Sequence, residues 1–148
     1  MKDFYLPVPG RTPTALFNKA ESIDDLINVS VYMASSAPSS KWRIAEEEFL
    51  KAILCFVFES YAPEDRDIKM IRSLLEMELE DGENGESRLC ELMKARLQFA
   101  KENHIDQYCT VFYSRFNSYP KAMKRAIAVA NLERFGFNIQ TRQDVIFF

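Results

Sequence analysis

Residues able to do chemistry are sparse in this chain, and their spacing limits what they could do. His104 is the sole histidine, which excludes paired-imidazole metal sites and most acid–base dyads. Zinc needs three or four nitrogen or sulfur donors, so His104 is expected in a loop or at a helix end. Cys55, Cys90 and Cys109 form no Cys-x-x-Cys pair. All three sit in apolar helical runs, where a free cysteine behaves as a small buried hydrophobe. That favours a reducing, cytoplasmic compartment, and no signal-peptide pattern opposes it. Glu46-Glu47-Glu48 is the densest carboxylate run, but consecutive helical residues point about 100° apart. No Glu-x-x-His partner accompanies it, so a solvated helical face is expected. Pro9-Gly10-Arg11-Thr12-Pro13 has the outline of a phosphate loop without its second glycine or its lysine. No catalytic, metal or cofactor residues are assigned on this reading.

Charge carries more information. Between Glu59 and Glu86 there are ten acids against Arg66, Lys69 and Arg72, a net of −7. Between Arg115 and Arg142 there are six bases against Glu133 alone, a net of +5. Separated fields of opposite sign suit docking against a charged partner, because complementary potentials steer encounter. Two solvated surfaces without a partner would produce the same count. The acidic candidates are Glu78, Glu80, Asp81, Glu83 and Glu86, read as an exposed loop with turn glycines. The basic candidates are Lys121, Lys124 and Arg125, placed to meet DNA phosphates. The whole chain, at a net of −3, is a poor bulk ligand for nucleic acid or anionic membrane.

The elements that must position these residues read as helices. Lys41 to Ala62 runs 22 residues without Gly or Pro, too long for an ordinary strand. From Phe49 to Phe58 it is apolar nearly all round, with Lys51 its only charge, so it must be surrounded. A membrane span needs about 20 apolar residues, which Lys51 and Glu59 interrupt. A central buried helix capped by Ser39 or Ser40 is therefore expected, ending at Pro63. Ser22 opens an earlier helix, and the Ser35–Ser40 stretch links the two. A third is capped near Asp65 or Asp67, with Ile68, Ile71, Leu75 and Leu79 at helical spacing. It frays into the glycine-containing acidic loop. Ser87 starts a fourth helix, interrupted near Asn103-His104. Ile105, Tyr108, Cys109, Phe112 and Phe116 form an apolar stripe for a fifth. Pro120 to Phe135 forms a sixth with Met123, Ala126, Ile127 and Ala130 facing in, closed by Gly136. At 148 residues the chain is one domain's length. The expected fold is all-α: a compact bundle of about six to seven helices around residues 41–62. The helical core covers 22–139, with irregular flanks at 1–21 and 140–148.

Taken in order, several stretches resemble a known domain. They are Asp24-Asp25, the Ala34–Ser40 link, and Trp42, Ala45, Glu46, Phe49, Leu50, Ala52 and Ile53 at the helix start. Glu59-Ser60-Tyr61-Ala62-Pro63-Glu64-Asp65 and Ile71-x-x-Leu74-Leu75 follow. Tyr113, Phe116, Lys121, Lys124, Ala126 and Phe137-Asn138-Ile139 fit more loosely. The pattern resembles the all-α domain of TraG/TraD-like coupling ATPases of type IV secretion and conjugation, especially the Gram-positive branch. The resemblance implies a helical insertion in a RecA-like motor, on the cytoplasmic side of a membrane-anchored hexamer, without direct membrane contact of its own. Its implied role is substrate recognition, with a relaxase, accessory relaxosome proteins or secreted effectors as partners, and DNA as a further one. Nucleotide-binding motifs would belong to the motor domain, which the two flanks would rejoin. This segment is then expected to be non-enzymatic and free of cofactors. The rival readings are a free-standing helical adaptor or regulator and a helical DNA-binding module.

Overall fold

A computed structural model describes residues 39–62, 65 and 68–134, together with positions 24 and 34, both helical. The expected first helix, the flanks, the Gly136 cap and Phe137-Asn138-Ile139 otherwise lie outside the described residues. Within them the chain is all-helical, with five α-helices against the six to seven expected. We label these α1 (Ser40–Ser60), α2 (Ile68–Leu79), α3 (Arg88–Glu102), α4 (Cys109–Phe116) and α5 (Lys121–Arg134).

Helix α1 is the central element. Of the two candidate caps it uses Ser39, whose Oγ accepts from the Trp42 amide at 3.2 Å. That bond satisfies one of the first-turn amides left without helical partners. The helix ends at Ser60, two residues earlier than expected, with Tyr61 already extended. Phe49, Leu50 and every residue from Ala52 to Val57 are buried. Lys51 stays partly exposed by laying its ammonium 5.5 Å from the centroid of the Phe112 ring. The aliphatic stem can follow the apolar surface while the charge meets the ring face.

The most extensive helix pairing joins α1 to α4, and α2 packs chiefly on α5 and α3. Phe49 and Phe116 stack with ring centroids 4.3 Å apart, joining α1 to α4 at the centre of the core. Glu59, near the end of α1, accepts from the backbone amides of Tyr108 and Cys109 at 2.6 and 3.2 Å. A carboxylate from one helix thus caps another, where a negative charge also meets the positive end of the helix dipole.

Three expectations about facing are corrected. Ile105 and Tyr108 lie ahead of α4 and are exposed, so its buried stripe is Cys109, Phe112, Tyr113 and Phe116. In α5 the inward face is Ile127, Ala128, Asn131 and Leu132, while Ala126 points out. The solvated glutamate face is also revised, because Glu46 is fully buried. Its carboxylate accepts from Trp42 Nε1 at 3.2 Å, Asn131 Nδ2 at 2.7 Å and Arg134 Nη2 at 3.2 Å. Hydrogen-bonded company of this kind is what permits a carboxylate inside a core.

Candidate functional site

Residues 80–87 leave α2 as an acidic segment and return as the start of α3. They do not fray. Asp81 and Ser87 form an isolated antiparallel bridge, and the Gly82 amide donates to Glu86 O at 2.7 Å while the Arg88 amide donates to Glu80 O at 2.9 Å. A short 3₁₀ turn, Glu83–Gly85, closes the tip. Asn84 and Gly85 both take left-handed backbone, with φ of 62° and 77°. Asparagine and glycine are the residues that tolerate this region. Gly82 serves a different purpose: a Cβ there would lie 2.6 Å from the Glu91 carboxylate. That carboxylate accepts from the Glu83 amide, so the turn is anchored to α3 through the space glycine leaves.

The acidic turn and the basic helix meet. Lys121 Nζ lies 3.4 Å from Asp81 Oδ1, and the Arg125 guanidinium donates to the same oxygen. These cations hold the Asp81 carboxyl below its ordinary pKa. Lys94 donates to Glu86 at 2.6 Å and lowers that pKa as well. Arg88 pairs with Glu80 at 3.8 Å. The two fields kept apart in the sequence therefore meet at Asp81, while Glu80 and Glu86 pair with Arg88 and Lys94 of α3.

Glu78 is the exception to the expected exposure. Only 2% of its surface is accessible. Tyr113 Oη donates to its Oε1 at 2.6 Å, and Ser87 Oγ donates to the same oxygen at 3.1 Å. Burial pushes the Glu78 carboxyl above its ordinary pKa, against the hydrogen bonds from Tyr113 and Ser87 and the field of Lys124 and Arg125. The same burial, with Glu78 beside it, pushes the Tyr113 phenol up. Ser87 also caps α3 as expected, accepting from the Cys90 amide at 3.0 Å. One hydroxyl thus ties α2, α3 and α4 together.

Above this cluster lies a cleft of about 130 Å³, lined by Glu78, Ser87, Asn117, Lys121, Lys124 and Arg125, with Gly85 and Glu86 at its edge. All three basic candidates and two of the five acidic ones therefore converge on one place. Glu80, Asp81 and Glu83 remain exposed on the outside of the turn. Ser87, Tyr113 and Asn117 were not expected there. The legible signal was register: Glu78 follows Ile71, Leu74 and Leu75 on the inward stripe of α2, where a carboxylate must find donors.

His104 sits exposed in the α3–α4 turn at φ 55°, on the edge of a shallow groove of about 490 Å³ with Leu97, Ile105 and Val111. The three cysteines are free and buried. Burial raises the Cys55 thiol to about 12 and moves Cys109 and Cys90 in the same direction. Among the described residues no group of three or more His, Cys, Asp or Glu could hold a metal ion. No helix among them is long and apolar enough to cross a membrane. Comparison with known proteins returns no matching family model, no matching curated protein and no matching solved structure.

Proposed function

We propose that this chain is a non-enzymatic recognition domain that presents the pinned acidic turn to a basic protein partner. The observation that carries the reading is the turn itself, fixed by the Asp81–Ser87 bridge and by Glu91, with Glu80 and Glu83 held outward at the α2–α3 junction. A loop gives specificity when a rigid scaffold holds it, and charge presented on a rigid turn loses little entropy on docking. The resemblance to coupling ATPases supplies the finer reading. On it, the chain serves as the substrate-recognition all-α domain of a type IV secretion or conjugation coupling protein. It would work at the cytosolic face of the membrane within a hexameric parent, and its partners would be a relaxase, relaxosome accessory proteins or secreted effectors.

DNA binding along α5 is the weaker reading, because Asp81 already neutralises two of its three candidate cations. The coding sequence on either side of this segment tests the finer proposal. A phosphate-loop motif upstream and an acidic metal-binding strand motif downstream are expected; neighbours of unrelated type would leave the adaptor and DNA-binding readings. The isolated chain is expected to bind no Mg·ATP, for want of a backbone nest with an adjacent lysine. Saturable micromolar binding in a calorimeter would contradict that.

A further inference from the structure

In the cleft between the acidic turn and α5, Lys124 is the cation without a carboxylate, and Arg125 keeps one nitrogen unmet beside its pair with Asp81. Lys124 Nζ donates to the two oxygens of Asn117, at 2.7 and 3.4 Å, both uncharged, and reaches Glu78 and Glu86 only through its field. No ion pair joins Lys124 to a carboxylate among the described residues. Arg125 Nε is buried with no acceptor. An unmet donor on a charged group is costly, and here it belongs to a residue lining a space. About 130 Å³ is several times the roughly 10–15 Å³ that one water needs on this measure, so the cleft has room for a tetrahedral oxyanion.

The charges facing the cleft come from every element around it. Lys121, Lys124 and Arg125 lie on α5. From the turn comes Glu86, matched by Lys94 of α3, while Asp81 reaches Lys121 and Arg125 from outside the lining. From α2 comes Glu78, whose Oε1 is occupied by the Tyr113 and Ser87 hydroxyls. Asp81 is the informative member. Its side chain is 72% exposed, yet one carboxylate oxygen spans both Lys121 and Arg125. It lies across these cations as an incoming anion would.

We propose that this cleft is a binding site for a single phosphate-class oxyanion, free or as the end of a phosphomonoester. Lys124 and Arg125 are its principal donors, and Asp81 is an internal competitor that swings out when the anion enters. The site does not depend on the partner reading above and can be tested on the chain alone.

The test is calorimetric titration with inorganic phosphate and with phosphoserine at constant ionic strength. Saturable one-to-one binding of both is expected. Asp81→Asn should tighten it about tenfold, and Lys124→Met should weaken it about tenfold, the scale of one charge-assisted hydrogen bond. Circular dichroism checks each variant, and Lys121→Met replaces Lys124→Met should the latter unfold. Lys101→Ala, remote on α3, is expected to change nothing. The proposal is overturned by an absence of binding in both the native chain and folded Asp81→Asn. It is equally overturned if Lys101→Ala costs as much as the cleft variants. A single-stranded oligonucleotide lacking terminal phosphate that outcompetes phosphoserine would overturn it too, making the cleft a nucleic-acid contact.

Discussion

Glu46 and Glu78 each sit where a helical repeat would place a hydrophobe, and each is buried among donors. Both positions were in the sequence; what each carboxylate would meet was not. Glu46 finds Asn131 and Arg134 from some 85 residues away, and Glu78 finds Tyr113 across 35. Such partners depend on tertiary packing, which a charge run read locally does not contain. Glu78 has a testable consequence. Its native pKa is raised above the ordinary 4.5 by burial, so the folded state holds that proton more tightly than the unfolded chain. The resulting stabilisation is full below the ordinary value and is lost as pH rises through the native one. Asp81 and Glu86, with lowered pKa values, act in the opposite sense, losing their contribution as pH falls. Both are exposed enough for salt to screen. In high salt, the stability of the native chain relative to Glu78→Gln should therefore fall as pH is raised from about 4.5. Chemical denaturation across that range measures it, and parallel curves for the two proteins would refute the assignment.

At the scale of elements, α1, α2, α3 and α5 were legible because each combines a start or stop signal with a helical apolar repeat. Ser39 and Ser87 cap where a serine before a helix should. Helix α4 was legible only in part. Ile105 and Tyr108 continue its stripe in sequence, yet His104 at positive φ and the Glu59 cap delay the helix to Cys109. A side chain some 50 residues away sets that boundary, and local periodicity cannot foresee it. The acidic turn was placed correctly and its stiffness missed, since the Asp81–Ser87 bridge and the Glu91 anchor are contacts made on return. The burial of α1 supports a stability prediction. Leu54→Ala and Phe56→Ala, at positions 3% and 8% exposed, should each cost about 2–5 kcal/mol through the cavity left in a close-packed core. Urea denaturation reads this directly. Midpoints unchanged in both variants would mean that α1 is peripheral.

For the whole molecule, the all-α architecture followed from composition and periodicity, and the charge asymmetry from counting. How the two fields relate did not. They lie some 40 residues apart in sequence, and only the packing of α2 on α5 brings them face to face. That packing divides the acidic candidates by role. Glu78 is structural, Asp81 and Glu86 are engaged with Lys121, Arg125 and Lys94, and Glu80 and Glu83 face outward. On the proposed reading a partner-binding surface would centre on the outward pair, and exposed charges can be reversed with little effect on stability. The decisive measurement is the affinity of the chain for a purified relaxase or relaxosome accessory protein at low and high salt. Native chain is to be compared with the Glu80→Lys, Glu83→Lys double variant. Recognition through the turn predicts at least about a tenfold loss in the variant and a flattened salt dependence, with the helical fold intact. Equal binding by both proteins, with loss only when Lys121, Lys124 and Arg125 are changed to Glu, would contradict it and place recognition on α5.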